Sequence, residues 1–233
     1  MIIDQELAKK LAISCNILAM EGQNDVNLGH VSTRLSGSDI VYIKPSSLGL
    51  EEVRGEDIII IDMDGKKLAG ERRCHLEFPI HTEMYMARPE VNCVIHTHPP
   101  YATVLGAAGE NVRPISREGL LFMDAPLFTE TTELIVTKAQ GQAVAVSIGE
   151  ARAVLLQNHG VVVVGESIES ATVFAILLEE AARLQWLARY MGNYVWTSEE
   201  EAQRKMKQIY TPNSIVGFWE YYVRKLSRTG GNV

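Results

Sequence analysis

The sequence predicts an α/β protein: a single three-layer α/β/α domain over residues 1–233, with a mixed central β-sheet and helices on both faces. Three observations carry this. Short β-branched runs are interleaved with stretches of helical periodicity. No linker, repeat or low-complexity segment interrupts the chain. Its 233 residues suffice for a full core without disulfide or metal staples.

Leu7, Ala8, Leu11, Ala12, Leu18 and Ala19 fall near helical spacing, with Asp4 as N-cap and Gly22 as stop, predicting a helix over 4–21. Val31–Leu35 and Ile40–Ile43 read as strands joined by the Gly- and Ser-rich turn Ser36–Asp39. Ile58–Met63 is a further β-branched run, and Asp64-Gly65 after it signals a hairpin. Phe78–Arg88 reads as a helix that tolerates Pro79 in its first turn and stops before Pro89. Val91–His96 is a buried type of strand, and a short helix follows over 100–107. Ala143–Ile148, Ala153–Gln157 and Val161–Val164 read as three more strands. Ser167 caps a long helix to about residue 191, and Ser198 with Glu201 opens another. The last helix is expected within Thr211–Arg228, with a frayed tail over Thr229–Val233.

Composition excludes several functions. Apolar residues at 46% and charged residues at 22% rule out a disordered or collagen-like chain. Lys plus Arg number 22 against 29 Asp plus Glu, a net charge of −7, so nucleic acid is not an expected partner. Cys15, Cys74 and Cys93 are odd in number and form no CxxC pair, which argues against a disulfide framework or a cysteine zinc site. Charged residues from Asp4 to Lys10 interrupt any signal-like run, and no window suits a membrane span. A cytoplasmic location is the expectation.

The chemistry is concentrated in the histidines. His96 and His98 are two apart at a strand end, so their side chains point the same way. His159 follows another apolar strand. Three imidazoles at two strand ends could hold a divalent ion with an open position, or be ordinary loop histidines. Glu77, at a helix start, is either an acid/base group or a surface carboxylate favoured by the helix dipole. His81 lies four residues on and shares its face, as a neighbour of the ligands or an exposed histidine. His30 sits in a glycine-flanked turn from which it could touch substrate.

In combination these residues resemble the class II aldolase/adducin superfamily. The resemblance is carried by His96-Thr97-His98-Pro99 after ARPEVNCVI, by Gln157-Asn158-His159-Gly160 before VVVVG, and by Glu77. Leu28-Gly29-His30-Val31-Ser32-Thr33-Arg34 is similar to the family's N-terminal glycine turn, and Lys44-Pro45-Ser46-Ser47 to the segment after its second strand. The resemblance covers roughly residues 5–190. It implies an α/β/α fold, one divalent metal ion per subunit held by His96, His98 and His159, Glu77 as acid/base, and a fourfold homotetramer with sites between subunits. Zinc, manganese, cobalt and iron all suit three imidazoles. Adducin-like members without the ligands are binding modules; this chain keeps all three.

The departures select a branch. Sugar-phosphate members carry Gly-Asn-Val-Ser in the first turn and Ser-Ser before the acidic residue. Here His30 and Ser32 occupy the turn, and His75-Leu76 precede Glu77. A leucine cannot donate a hydrogen bond to phosphate. Arg113-Pro114-Ile115-Ser116-Arg117-Glu118-Gly119 is similar to a segment of the aromatic-acid decarboxylases of the hydroxy-methylpyridine-dicarboxylate type. Lys44, Arg113 and Arg117 are candidates to hold a substrate carboxylate, with plain salt bridging as the alternative. The expectation is a metal-dependent carbon–carbon lyase acting on a small acidic substrate. Decarboxylation of a hydroxylated aromatic or heteroaromatic acid, through developing enolate-like charge, comes first. A fuculose-phosphate-type aldolase or an epimerase is the runner-up.

Overall fold

Residues 4–230 are described by the computed structural model. Asp4 accepts the Leu7 amide proton and so caps α1, Gln5–Leu18. One wider turn, Ala19–Gln23, extends it until Gly22 at φ 86° breaks the spiral. The strands β1 (His30–Arg34), β2 (Val41–Ile43), β3 (Ile59–Ile61) and β4 (Lys67–Ala69) then form a meander. Gly65 at φ 79° makes the turn between β3 and β4, as Asp64-Gly65 predicts. Helix α2 (Pro79–Ala87), β5 (Cys93–Thr97) and α3 (Pro100–Ala107) follow. The rest of the chain runs β6 (Leu127–Phe128), α4 (Lys138–Ile148), β7 (Ala153–Leu156), β8 (Gly160–Gly165), α5 (Ile168–Tyr190), α6 (Glu199–Ile209) and α7 (Pro212–Arg228).

The eight strands form one sheet in the order β4-β3-β2-β1-β5-β8-β7-β6. Only β6 and β7 run parallel; every other neighbouring pair is antiparallel. Side chains alternate across such a sheet, so each strand feeds two cores. Val31, Ile95, Leu155, Val161 and Val163 pack with α1, α3, α5 and α7. Val94, Val154, Leu156, Val162 and Val164 pack with α2 and α4 on the other side. The fold is thus the α/β/α sandwich with a mixed sheet that the sequence predicts.

One expected strand is a helix. Ala143–Ile148 alternates like a strand, but it is the last part of α4. Thr137 and Gln140 form a capping box, and Gly141, Val144, Ala145 and Ile148 make a buried helical stripe against α2. Strands β4 and β6 were too short and irregular to read from the sequence. The expected fraying of residues 231–233 lies outside the described residues. Among the described residues no helix is long and apolar enough to cross a membrane, and all three cysteines are unpaired.

Candidate active site

The register of three central strands gathers the site. His30 on β1 lies opposite His96 on β5, and His96 lies opposite Val162 on β8. His96 and His30 share the sheet face packed by α2 and α4. His96 is fully buried, and its Nδ1–H donates to the Val161 carbonyl at 2.9 Å. This leaves Nε2 buried with no hydrogen-bond partner. Burial also holds the ring well below the usual histidine pKa, so that nitrogen keeps its lone pair.

His98 follows where Pro99 and Pro100 end the strand. Its Nδ1 lies 2.6 Å from Asp25 Oδ2, which leaves Nε2 as the free nitrogen. A carboxylate behind an imidazole fixes the tautomer and raises the basicity of a metal ligand. His159 comes from the tight turn between β7 and β8. Asn158 before it adopts φ 55°, a left-handed conformation that asparagine tolerates. A Cβ on Gly160 would stand 2.6 Å from both the His98 ring and the Thr97 carbonyl oxygen, so only glycine lets the turn close on His98. Burial lowers the His159 pKa, with the Glu77 charge opposing it.

Ligand atoms of His96, His98 and His159 all lie within 4.8 Å of one another. His30, Glu77 and His96 form a second such group, sharing His96. The first set fits a divalent cation: three imidazole nitrogens converge, one of them buried and otherwise orphaned. Glu77 faces it. Its Oε1 accepts the Ile135 amide proton at 2.8 Å and lies 3.5 Å from His159 Nε2. Its Oε2 lies 3.7 Å from His96 Nε2 and 4.0 Å from His30 Nε2.

A cavity of about 390 Å³ opens beside Glu77, lined by Leu28, Ser46, Arg73, Cys74, His75, Leu76 and Leu134. His75, a candidate substrate contact in the sequence, is among its lining residues. Burial pushes its pKa down to about 3, with the Lys44 charge adding to the effect. Lys44 is fully buried and its Nζ donates to the carbonyls of Asn27 and Pro45. It ties two loops together behind His75, and burial lowers its pKa to about 8. Ser32 and His81 are both buried and hydrogen-bonded to each other, so His81 is not an exposed histidine.

The two other arginines line different cavities. Arg113 lies over the Trp196 ring at 5.2 Å in a cavity with Arg152 and Lys207. Arg117 pairs with Glu118 and lines a cavity with Tyr210 and Tyr222. Neither cavity includes a residue of the Glu77 cluster. Sequence reasoning missed Asp25, Arg73, Tyr85 and the Ile135 amide. Arg73 alone carried a signal: it stands four residues before Glu77 in the stretch that already supplies His75.

The model of the Class II Aldolase and Adducin N-terminal domain matches residues 9–186. Decarboxylase NovR of Streptomyces niveus is 31% identical over 158 residues, which are 66% of this chain and 58% of that protein. The chain thus spans less than two thirds of that relative. The 3,4-dihydroxyphthalate decarboxylase of Arthrobacter keyseri is 30% identical over 188 residues, 75% of each chain. The 5-deoxy-D-ribulose 1-phosphate aldolase of Bacillus thuringiensis is 28% identical over 180 residues, 77% of this chain and 84% of the other. Among solved structures, the L-fuculose 1-phosphate aldolase from Glaciozyma antarctica shares the fold, with a TM-score of 0.86, 23% identity, and coverage of 97% of this chain and 90% of that one. The sheet, the two helical layers and the family match agree: the chain belongs to the class II aldolase and adducin family.

Proposed function

We propose that this protein is a metal-dependent lyase that decarboxylates a hydroxylated aromatic or heteroaromatic carboxylate. One observation carries the reading: the cavity that opens on Glu77 has leucine walls and an arginine, Arg73. Leu28, Leu76 and Leu134 suit a flat ring, and a guanidinium binds a carboxylate through paired hydrogen bonds. His96, His98 and His159 would hold the divalent ion. When bound, the ion supplies Lewis-acid stabilisation of negative charge that develops on substrate oxygens.

The chain's own residues do the rest. Arg73 holds a substrate carboxylate, and the leucines keep water from the ring. The bond from ring carbon to carboxylate breaks, CO2 leaves, and the electron pair stays on the ring. Glu77 delivers a proton to that carbon and regains one from solvent. The Ile135 amide holds the Glu77 carboxyl group in place.

An aldolase reading is kept second, because one similar protein is named as a sugar-phosphate aldolase. Zinc, manganese, cobalt and iron remain the candidate ions. A homotetramer and a reducing, cytoplasmic setting belong to the same proposal. The tetramer rests on the family resemblance, the setting on three unpaired cysteines. Leu28 and Leu76, exposed at the cavity rim, are where a neighbouring subunit would close it. The test is turnover of the metal-loaded protein on hydroxypyridine- and dihydroxybenzene-carboxylates beside fuculose-, rhamnulose- and ribulose-phosphates. CO2 release from an aromatic acid is expected; aldehyde from a sugar phosphate alone overturns the decarboxylase reading.

A further inference from the structure

A chain of short hydrogen bonds runs from the buried side of α2 to the site. Tyr85 OH lies 2.7 Å from Ser32 Oγ, Ser32 Oγ lies 2.6 Å from His81 Nδ1, and His81 Nε2 lies 2.6 Å from His30 Nδ1. All four side chains are at most 1% exposed. His30 Nε2, the last atom, has no hydrogen-bond partner and faces Glu77. We infer that this chain fixes His30 as the Nε2–H tautomer, making it a hydrogen-bond donor to a substrate oxygen and not a metal ligand.

The direction follows from counting protons. Among the described residues, Ser32 Oγ is the acceptor within reach of the Tyr85 hydroxyl proton. A buried phenol proton left without an acceptor forfeits its hydration with nothing in return. Tyr85 therefore donates to Ser32. Ser32 has one proton of its own, and His81 Nδ1 is the acceptor within reach. His81 must then carry its proton on Nε2 and donate it to His30 Nδ1. The proton of His30 is left on Nε2. In this direction each ring accepts a hydrogen bond at Nδ1, as only a neutral imidazole can.

The far end agrees for an ionised Glu77, the form left once it has delivered its proton. An Nε2–H pointing at the Glu77 carboxylate is attracted to it. A lone pair there would face the oxygen lone pairs at 4.0 Å. The reversed chain carries both penalties, an orphaned Tyr85 proton and a repelled His30. The choice matters because His30, Glu77 and His96 are close enough to form a metal group of their own. A protonated Nε2 removes His30 from that group. It leaves a neutral donor aimed at the space beside Glu77, suited to a substrate oxygen that gains negative charge. Ser32 and His81 are positioning residues that act through His30.

The substrate contact rests on the proposed lyase activity; the tautomer does not. The test is solid-state NMR of the zinc-loaded protein labelled with 15N-histidine, with His30→Asn and His81→Asn to assign the signals. Both rings are expected to be protonated at Nε2 alone. An Nδ1–H signal on His30, or zinc bound to its Nε2, overturns the inference. In Tyr85→Phe the tautomer is expected to persist, since the Ser32 proton still has His81 as its acceptor. In Ser32→Ala it is expected to become a mixture, with kcat down roughly tenfold or more and KM moved less. A single Nε2–H tautomer with full turnover in Ser32→Ala overturns the positioning role. An Nε2–H signal in a protein that consumes no substrate supports the tautomer and counts only against the proposed reaction.

Discussion

The two faces of the sheet bury different things. Against α1, α3, α5 and α7 the sheet presents mainly valine, leucine and isoleucine, and buried polar side chains on that side, such as Asn16 and Gln23, bond backbone carbonyls of neighbouring segments. Ser14 Oγ meets Thr172 Oγ1 at 2.6 Å, joining α1 to α5. Against α2 the same strands present His30, Ser32 and His96, all fully buried. Burying so much polar surface costs stability unless every group is paired or reserved for a ligand. Most of these groups are paired within the chain, and the two buried ring nitrogens without partners, on His30 and His96, both face Glu77. One face is built for stability and the other bears a cost for chemistry.

Substitutions can break that contrast in order of size. Glu77→Gln keeps an oxygen for the Ile135 amide but removes the ionisable group proposed as acid/base. Bound metal and melting temperature are expected to persist while kcat falls about 10²–10⁴-fold; an unchanged rate would remove Glu77 from the mechanism. Asp25→Asn acts one step further out, through His98. Metal affinity, read by competition with a chelator, is expected to fall about 10–100-fold. Wild-type affinity in that variant would show that His98 needs no partner. Ser14→Ala touches the other face. Chemical denaturation is expected to show a loss of about 1 kcal/mol, with kcat and KM unchanged. A loss of turnover there would mean that the two faces are not separable.

The parts of this arrangement that were legible in the sequence are local. Period-two alternation placed His96 and His98 on one side of a strand end, and the apolar run Ala153–Gln157 placed His159 just after another strand. The family resemblance supplied the grouping that spacing left open. What was not legible is long-range pairing. Asp25 meets His98 across 73 positions, and His30 meets His81 across 51. Neither pair has a local pattern, because strand order and helix packing create it. Lys44 shows the converse. Its Lys-Pro motif was conspicuous, yet the carbonyls of Asn27 and Pro45 take two of its ammonium protons inside the fold, and His75 Nε2 lies 3.3 Å from it. The alternation in Ala143–Ile148 misled for a local reason: the deciding cap, Thr137 with Gln140, lies upstream of the run.

The most direct measurement is zinc bound per chain after exhaustive dialysis, for the wild type and for four single variants. His96→Ala, His98→Ala and His159→Ala are each expected to lose the ion. His30→Asn is expected to keep the ion at the wild-type level, about one per chain, because three imidazoles complete the protein's ligand set. Loss of zinc in His30→Asn together with its retention in His98→Ala would contradict the account. It would move the metal to the His30, Glu77 and His96 group and leave no free carboxylate for the proton transfer assigned to Glu77.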